Sequence, residues 1–293
     1  MARPKKIEIC VCYDFDGTLI WGNMQENSFI PDIGMSPDKF WQDAKKKAKS
    51  QDMDEVLAYM QLMIEKVIEK ARDAEKPLTR QDIIAHGQSL KYFPGVEAWF
   101  KSINDYGKET GATIKHFVIS SGLLEMIKGS KIARNFESIF ASGFSYDANN
   151  VPKFATRSVN FTTKTQYLYR INKKVLNSWD SEAVNRFTPD AERPNPFSRM
   201  IYIGDGETDV PAMKTLNYQG GYSIAVYPPK KGARRTKAEQ EKKETAEKLV
   251  TQNRAKFVAE ADFRKDKQLY KIVTGLIRRI VDESVLKMNL NAK

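Results

Sequence analysis

The sequence predicts an α/β fold built on a mostly parallel sheet, and three observations carry that expectation. Four short runs rich in Val, Ile and Tyr, "IEICVCYDF" (7–15), "TIKHFVISS" (113–121), "MIYIGD" (200–205) and "YSIAVYP" (222–228), are separated by helix-like segments. Continuous apolar runs of this length suit strands covered on both faces, as parallel strands are. Three of the four end in small or acidic polar residues: Asp14 and Asp16, then Ser120 and Ser121, then Asp205. Open parallel sheets bind ligands outside the carboxyl ends of their strands, so three distant segments point at one place. Finally, 293 residues that are 41% hydrophobic and 11% aromatic suffice to fill a packed core.

Along the chain, Cys10 and Cys12 alternate with Ile9 and Val11 in the first run. That spacing suits neither a redox C-x-x-C nor a zinc site, so both are expected as buried small hydrophobes. The stretch 21–91 is far longer than one crossover helix needs, and it reads helical. "SPDKFWQDAKKKAKS" opens with Ser36 as N-cap and Pro37 at the first helical position; "DMDEVLAYMQLMIEKVIEKARDAE" (52–75) opens with Asp52 and Glu55 spaced like a capping box. In the latter, Val56, Tyr59, Met60, Met63, Val67 and Ile68 recur at helical spacing, and a third helix is expected from Thr79. The expected organisation is an all-helical domain of residues 21–91 inserted into an α/β core of residues 1–20 and 92–293.

"FPGVEAWFKSIN" returns the chain to the core as a helix, and 123–140 reads as helix or turn. "TTKTQYLYRINKKVL" starts a helix capped by Thr162 or Thr163, with Lys164 in its first turn. A cation there opposes the helix dipole, and a nearby anion would explain it. "NSWDSEAVNRFTPDAERPNPFSR" reads as a polar loop.

The net charge of +11 could attract an anionic partner. Much of it is diffuse, however: Lys45 to Lys49 and "PPKKGARRTKAEQEKKETAEK" (228–248) carry many of the lysines, the latter interleaved with glutamates as on a solvated helix, and no nucleic-acid module accompanies them. Nucleic acid is therefore not the expected partner. No apolar run nears the roughly 18 to 20 residues of a membrane span, and the first run reaches Asp14 too soon for a secretory signal. A soluble cytoplasmic protein is expected.

In "IYIGDGETDVPAM", Gly204 and Gly206 flank Asp205, and Asp209 follows four residues on. Such a turn suits a hard oxygen-seeking cation such as Mg²⁺; the plainer alternative is a Gly-Asp-Gly turn with Asp209 capping a helix from Val210. Together with Asp14 and Asp16 of "YDFDGTLI" it would set four carboxylates at one sheet edge, a costly arrangement without a cation. A divalent metal relieves it and suggests a phosphorylated substrate.

"DFDGTL", "VISSG", the Lys-Thr pair at 164 and 165, and "GDGETD", in that order, resemble the four motifs of the haloacid dehalogenase superfamily, which is dominated by Mg²⁺-dependent phosphatases. The resemblance covers residue 7 to about residue 228. It is strongest to the phosphoserine-phosphatase-like branch, whose helical cap lies between the first two motifs, as 21–91 does here. It implies a Rossmann-like three-layer core with central parallel sheet and an inserted all-helical cap domain. The implied activity is hydrolysis of a small phosphorylated metabolite.

Under the resemblance Asp14 is the nucleophile that forms an aspartyl-phosphate, and Asp16 protonates the leaving oxygen and then activates water. Mg²⁺ would be held by the carboxylates of Asp14 and Asp205 and the backbone carbonyl of Asp16, with Asp209 binding directly or through water. Ser120 and the backbone N–H groups of Phe15, Asp16 and Ser121, in a loop that includes Gly122, would bind the phosphoryl oxygens. Lys164 would neutralise charge between nucleophile and phosphate, with Lys131 or Lys153 as alternatives. The Thr18 hydroxyl is expected to fix the loop.

A phosphomutase shares this set, and an idle scaffold binding an anion or nucleic acid is the reading from another class. Phosphoserine phosphatases place a Glu soon after the first motif and an Arg on the cap. Here Asn23 stands near the first position, with Glu26 three residues later, and Arg72 and Arg80 lie in 21–91, so strict phosphoserine specificity is not expected. Met24, Phe29, Trp41, Tyr59 and Met63 are expected to pack the helices.

Overall fold

Strand β1 (Ile7–Tyr13) is buried on both faces because its side chains alternate between two apolar clusters. Ile9, Val11 and Tyr13 enter one cluster, and Cys10 and Cys12 the other. The computed structural model describes residues 7–72, 76–230 and 232–290. Five helices follow β1: α1 (Met24–Asn27), α2 (Phe29–Asp32), α3 (Pro37–Gln51), α4 (Glu55–Arg72) and α5 (Arg80–His86). Then come α6 (Val96–Glu109), β2 (Ala112–Leu123), α7 (Leu124–Gly129), β3 (Ser138–Tyr146), β4 (Pro152–Arg157), α8 (Lys164–Lys173) and α9 (Ser181–Asn185). The chain continues through β5 (Met200–Gly204), α10 (Val210–Tyr218), β6 (Tyr222–Tyr227), α11 (Lys237–Thr251), β7 (Phe257–Glu260) and α12 (Gln268–Leu290).

The seven strands form one sheet in the order β4-β3-β2-β1-β5-β6-β7, parallel throughout except for the antiparallel β3–β4 pair. On one face Trp99 and Phe100 of α6 and Leu269, Val273 and Ile277 of α12 share a cluster with β1; on the other, Tyr167, Leu168 and Ile171 of α8, Met213 and Leu216 of α10 and Leu249 of α11 do so. This is the α/β core with a mostly parallel sheet that the apolar runs predict, in the Rossmann-like three-layer form that the resemblance implies. Both cysteines are free and buried, and burial pushes the Cys10 thiol up to about 12.

The helices between β1 and β2 are capped largely as their side chains dictate. Ser36 accepts from Lys39 N, and Thr79 and Asp82 complete a reciprocal capping box. Asp52, expected as the N-cap of the second helix, instead closes α3 in the left-handed region at φ 50°. Asp54 is the cap: its Oδ1 accepts from the N–H groups of Val56 and Leu57 at 3.0 and 3.1 Å. The described part of that helix ends at Arg72, and 73–75 lie outside the described residues. Phe40, Tyr59, Met60 and Met63 join the cluster that contains Ile9 and Val11, whereas Ile68, expected on the apolar face, is exposed.

In the basic stretch, α11 begins with a Thr236–Glu239 capping box and leaves Lys237, Lys242 and Lys248 exposed; Lys231 lies outside the described residues. The loop expected over 177–199 contains α9 and two short 3₁₀ turns. Among the described residues no helix is long and apolar enough to cross a membrane.

Candidate active site

The carboxyl ends of β1, β2 and β5 meet at one edge of the sheet, as their sequences predict. Asp14 follows the last residue of β1 and is fixed by its N–H donating to Ile203 O of β5 at 2.9 Å. The chain then turns through Gly17, at φ +70°, where a Cβ would run into the carboxylate of Asp205. Gly204 plays the matching part on β5, since a Cβ there would strike Asp209. The glycines of both motifs thus let two acidic segments approach closely.

Three buried side chains form the centre. Lys164 Nζ donates to Asp14 Oδ1 and to Asp209 Oδ1, each at 2.7 Å. All three are 5% exposed or less, which leaves water little share in solvating them. Asp209 Oδ1 also accepts from Tyr202 OH at 2.7 Å. The lysine that looks misplaced at a helix N-terminus therefore reaches the anions that the sequence demands for it.

The helix start is held by Asn160 rather than by Thr162 or Thr163: Asn160 Oδ1 accepts from the N–H groups of both threonines, and Lys164 N donates to Asn160 O. Lys131 and Lys153, the alternatives to Lys164, are exposed and do not line the cavity. Asp209 makes no side-chain cap bond to α10, because its carboxylate is turned inward.

One oxygen from each of Asp14, Asp205 and Asp209 lies within 4.8 Å of the others. Burial, opposed by Lys164 and reinforced by Asp209, raises Asp14 to about 6. Burial, then Asp14 and Asp209, raises Asp205 to about 7. Asp16 is raised by burial and by Asp14. Burial works to lower Lys164, yet Asp14 and Asp209 outweigh it and hold the ammonium above its ordinary value. One buried ammonium, with Lys242 at the exposed rim, thus faces four carboxylates, and the surplus of hard anionic oxygens fits a divalent cation such as Mg²⁺.

Around this centre is a cavity of about 500 Å³, lined by Asp14, Asp16, Ser120, Ser121, Lys164 and Asp205 among others. Asp16 Oδ1 accepts from Met24 N at 2.8 Å. Ser120 Oγ accepts from Gly122 N at 3.0 Å, which leaves its own hydrogen to donate. Ser121 presents its carbonyl to Tyr59 OH at 2.6 Å. Phe15 is fully buried, backbone included, and does not line the cavity.

The Thr18 hydroxyl departs from expectation: it is buried without a hydrogen-bond partner among the described residues, and the loop is held by backbone bonds such as Leu19 N to Phe15 O at 2.9 Å. Arg72 and Arg80 are exposed and line neither this cavity nor the one beside it. Met24, Phe29, Tyr59 and Met63 are buried as packing predicts, and Trp41 is partly buried. Lys242 lines the acidic cavity from within a stretch that reads as a solvated helix face, and Tyr202 supports Asp209 from within a strand. The sequence around Lys242 carries no signal for its place, and Tyr202, although it stands within "IYIGDGETDVPAM", reads there only as a strand residue.

No family model matches the sequence. An uncharacterised protein of Borreliella burgdorferi strain B31 is 28% identical over 285 residues, spanning 89% of this chain and 94% of the other. Among solved structures, a phosphoserine phosphatase in apo form aligns with TM-score 0.53 and 13% identity over 91% of this chain and 98% of that one. A probable phosphoserine phosphatase from Vibrio cholerae, unliganded, aligns with TM-score 0.54 and 11% identity over 94% and 67%. A hydrolase of the haloacid dehalogenase family from Salmonella enterica serovar Typhi aligns with TM-score 0.50 and 18% identity over 76% of this chain, and the match spans 63% of that protein. The chain has the fold of haloacid dehalogenase superfamily hydrolases, in its phosphoserine-phosphatase-like form.

Proposed function

We propose that the protein is a phosphatase that hydrolyses a small phosphomonoester through an aspartyl-phosphate on Asp14, with Mg²⁺ as cofactor and residues 21–91 as a cap over the site. The observation that carries this reading is the Asp14–Lys164–Asp209 cluster at the end of β1, with Asp16 and Asp205 lining the same cavity.

An Asp14 carboxylate oxygen attacks phosphorus as the bond from phosphorus to the leaving oxygen breaks, and Asp16 transfers its proton to that oxygen. Asp16 then takes a proton from water, which attacks phosphorus and releases inorganic phosphate and the Asp14 carboxylate. Burial and the neighbouring Asp14 charge raise Asp16, the direction that favours its protonated, proton-donating form. Lys164 holds Asp14 in place and offsets charge, and Ser120 donates to a phosphoryl oxygen. The carboxylates of Asp14 and Asp205, the Asp16 carbonyl and Asp209 would hold Mg²⁺, which when bound supplies positive charge toward the phosphoryl group. Asp16 and Asp205 are partly exposed, so water reaches this edge, which favours hydrolysis over transfer within a mutase.

The test is hydrolysis of p-nitrophenyl phosphate with Mg²⁺ and with excess EDTA. Metal-dependent turnover that disappears in Asp14→Asn is expected. No turnover under either condition overturns the reading in favour of a binding protein on this scaffold.

A further inference from the structure

A second cavity, of about 220 Å³, opens beside the acidic one, and Asp16, Asn23, Ser121 and Thr208 line both. The carboxyl assigned to protonate the leaving oxygen therefore stands at their junction. If phosphate occupies one side of Asp16, the leaving group extends into the other.

The walls of the second cavity are largely apolar, with Trp41, Val56, Tyr59 and Phe161 among them. Trp41 and Tyr59 meet edge to face at 5.7 Å between centroids. Their polar tips are already spent, since Trp41 Nε1 donates to Glu26 Oε1 at 2.7 Å and Tyr59 OH donates to Ser121 O. What they offer a ligand is ring surface.

The charges in the lining are likewise committed or peripheral. Asp54 accepts from Ser158 Oγ at 3.0 Å and Asn160 Nδ2 at 2.7 Å besides capping α4. Lys45 and Glu55, of opposite sign, are exposed. Glu26, the acid nearest the position where the phosphoserine-type pattern expects one, is bound by Asn23 Nδ2 and Trp41 Nε1. An ammonium or carboxylate on the leaving group would exchange its hydration for the exposed Glu55 or Lys45, pairings that water screens and that therefore gain little.

One polar group stands apart. Gln25 is 2% exposed and lines this cavity, and its Oε1 lacks a hydrogen-bond partner among the described residues. A buried primary amide offers donor and acceptor sites side by side in one plane, and such groups are normally satisfied.

Resting on the phosphatase reading above, we infer that this cavity receives the leaving group, that the substrate is the phosphomonoester of an uncharged alcohol bearing a planar polar ring, and that Gln25 reads the ring's hydrogen-bonding edge. A flat neutral ring gains from the aromatic walls, and an amide-like edge pairs with the Gln25 amide.

The test compares kcat/KM for uridine 5′-monophosphate, O-phosphoserine and p-nitrophenyl phosphate in wild type, Gln25→Leu and the isosteric Gln25→Glu, with calorimetric binding of uridine as a readout independent of catalysis. The nucleotide is expected to exceed phosphoserine at least about tenfold. Both variants are expected to lower the ratio of nucleotide to p-nitrophenyl phosphate by about 10- to 100-fold, because a site built around hydrogen bonds rejects a mismatch. Preference for phosphoserine, or a ratio unmoved in a folded variant, overturns the inference. If wild type turns over none of the three, the phosphatase reading fails by itself. Uridine bound by wild type and lost in the variants then supports the pocket assignment, and absence of uridine binding overturns it.

Discussion

Two buried polar clusters grow from consecutive residues at the end of β1, and they are built on opposite rules. At Tyr13 every proton has a destination: Trp99 Nε1 donates to Tyr13 Oη at 2.8 Å, the hydroxyl meets His116 Nδ1 at 2.9 Å, and His116 Nε2 meets Asn104 Oδ1 at 3.1 Å. The chain closes with neutral histidine, and burial lowers the His116 pKa to about 3. At Asp14, one residue on, the buried Lys164 ammonium and Lys242 at the exposed rim face four carboxylates, and the balance is left short of positive charge. A satisfied network fixes a fold, whereas an under-neutralised one is tolerated where a ligand completes it.

The sharpest way to break this contrast is Asp14→Asn. Turnover should fall by about 10⁴-fold or more while the melting temperature holds or rises, because one repelling charge leaves a crowded site. Wild-type turnover in that variant would remove the nucleophile assignment.

Lys164→Met comes next, with a loss of about 10²- to 10³-fold in kcat/KM. It should also cost about 3 to 5 kcal/mol in urea unfolding, since Asp14 and Asp209 lose their buried partner. A variant as stable as wild type would show that these carboxylates do not depend on it.

His116→Leu should reverse the pattern. Stability should drop by about 2 to 3 kcal/mol as the Tyr13 and Asn104 groups lose their partner, while kcat/KM stays within about twofold. A tenfold loss of activity would erase the distinction between the clusters.

The smallest effect is pH dependence. Unfolded His116 takes up a proton as pH falls through about 6.5, while the folded residue does not until about 3. The unfolded state then binds more protons, so this contribution is complete above 6.5 and is lost as pH falls toward 3. Between pH 7 and 5.5 it amounts to about 1 kcal/mol, read as the difference between wild type and His116→Leu. Asp14 and Asp205, held more protonated in the folded state, impose the opposite slope on both proteins, and it cancels in that difference. Parallel pH profiles for the two proteins would show that His116 does not stay neutral.

What the sequence revealed follows from how far each signal reaches. The Ser36 and Thr79 caps are legible because a side chain and the backbone three residues away settle them. The register error between Asp52 and Asp54 is of the same local kind, since either acid could cap the helix by sequence alone. β4 pairs at the sheet edge and is largely exposed, and β7 has four residues, so neither shows a long apolar run. Asp14, Asp16, Asp205, Asp209 and Lys164 could be picked out because their chemistry restricts residue type and order. Gln25 and Lys242 acquire their positions only when distant segments meet, and nothing in their neighbours marks them, whereas Tyr202 sits in the same run as the Asp209 it bonds but reads there only as a strand residue.

Asp54 joins two parts of the molecule that are far apart in sequence. Its carboxylate begins α4 and also grips Ser158 and Asn160, and Asn160 in turn holds the first turn of α8, from which Lys164 extends. α4 and the Lys164 ammonium are therefore linked through one carboxylate. Moving α4 away from the sheet would break the bonds from Ser158 and Asn160 to Asp54, and Asn160 is the residue that holds the first turn of α8.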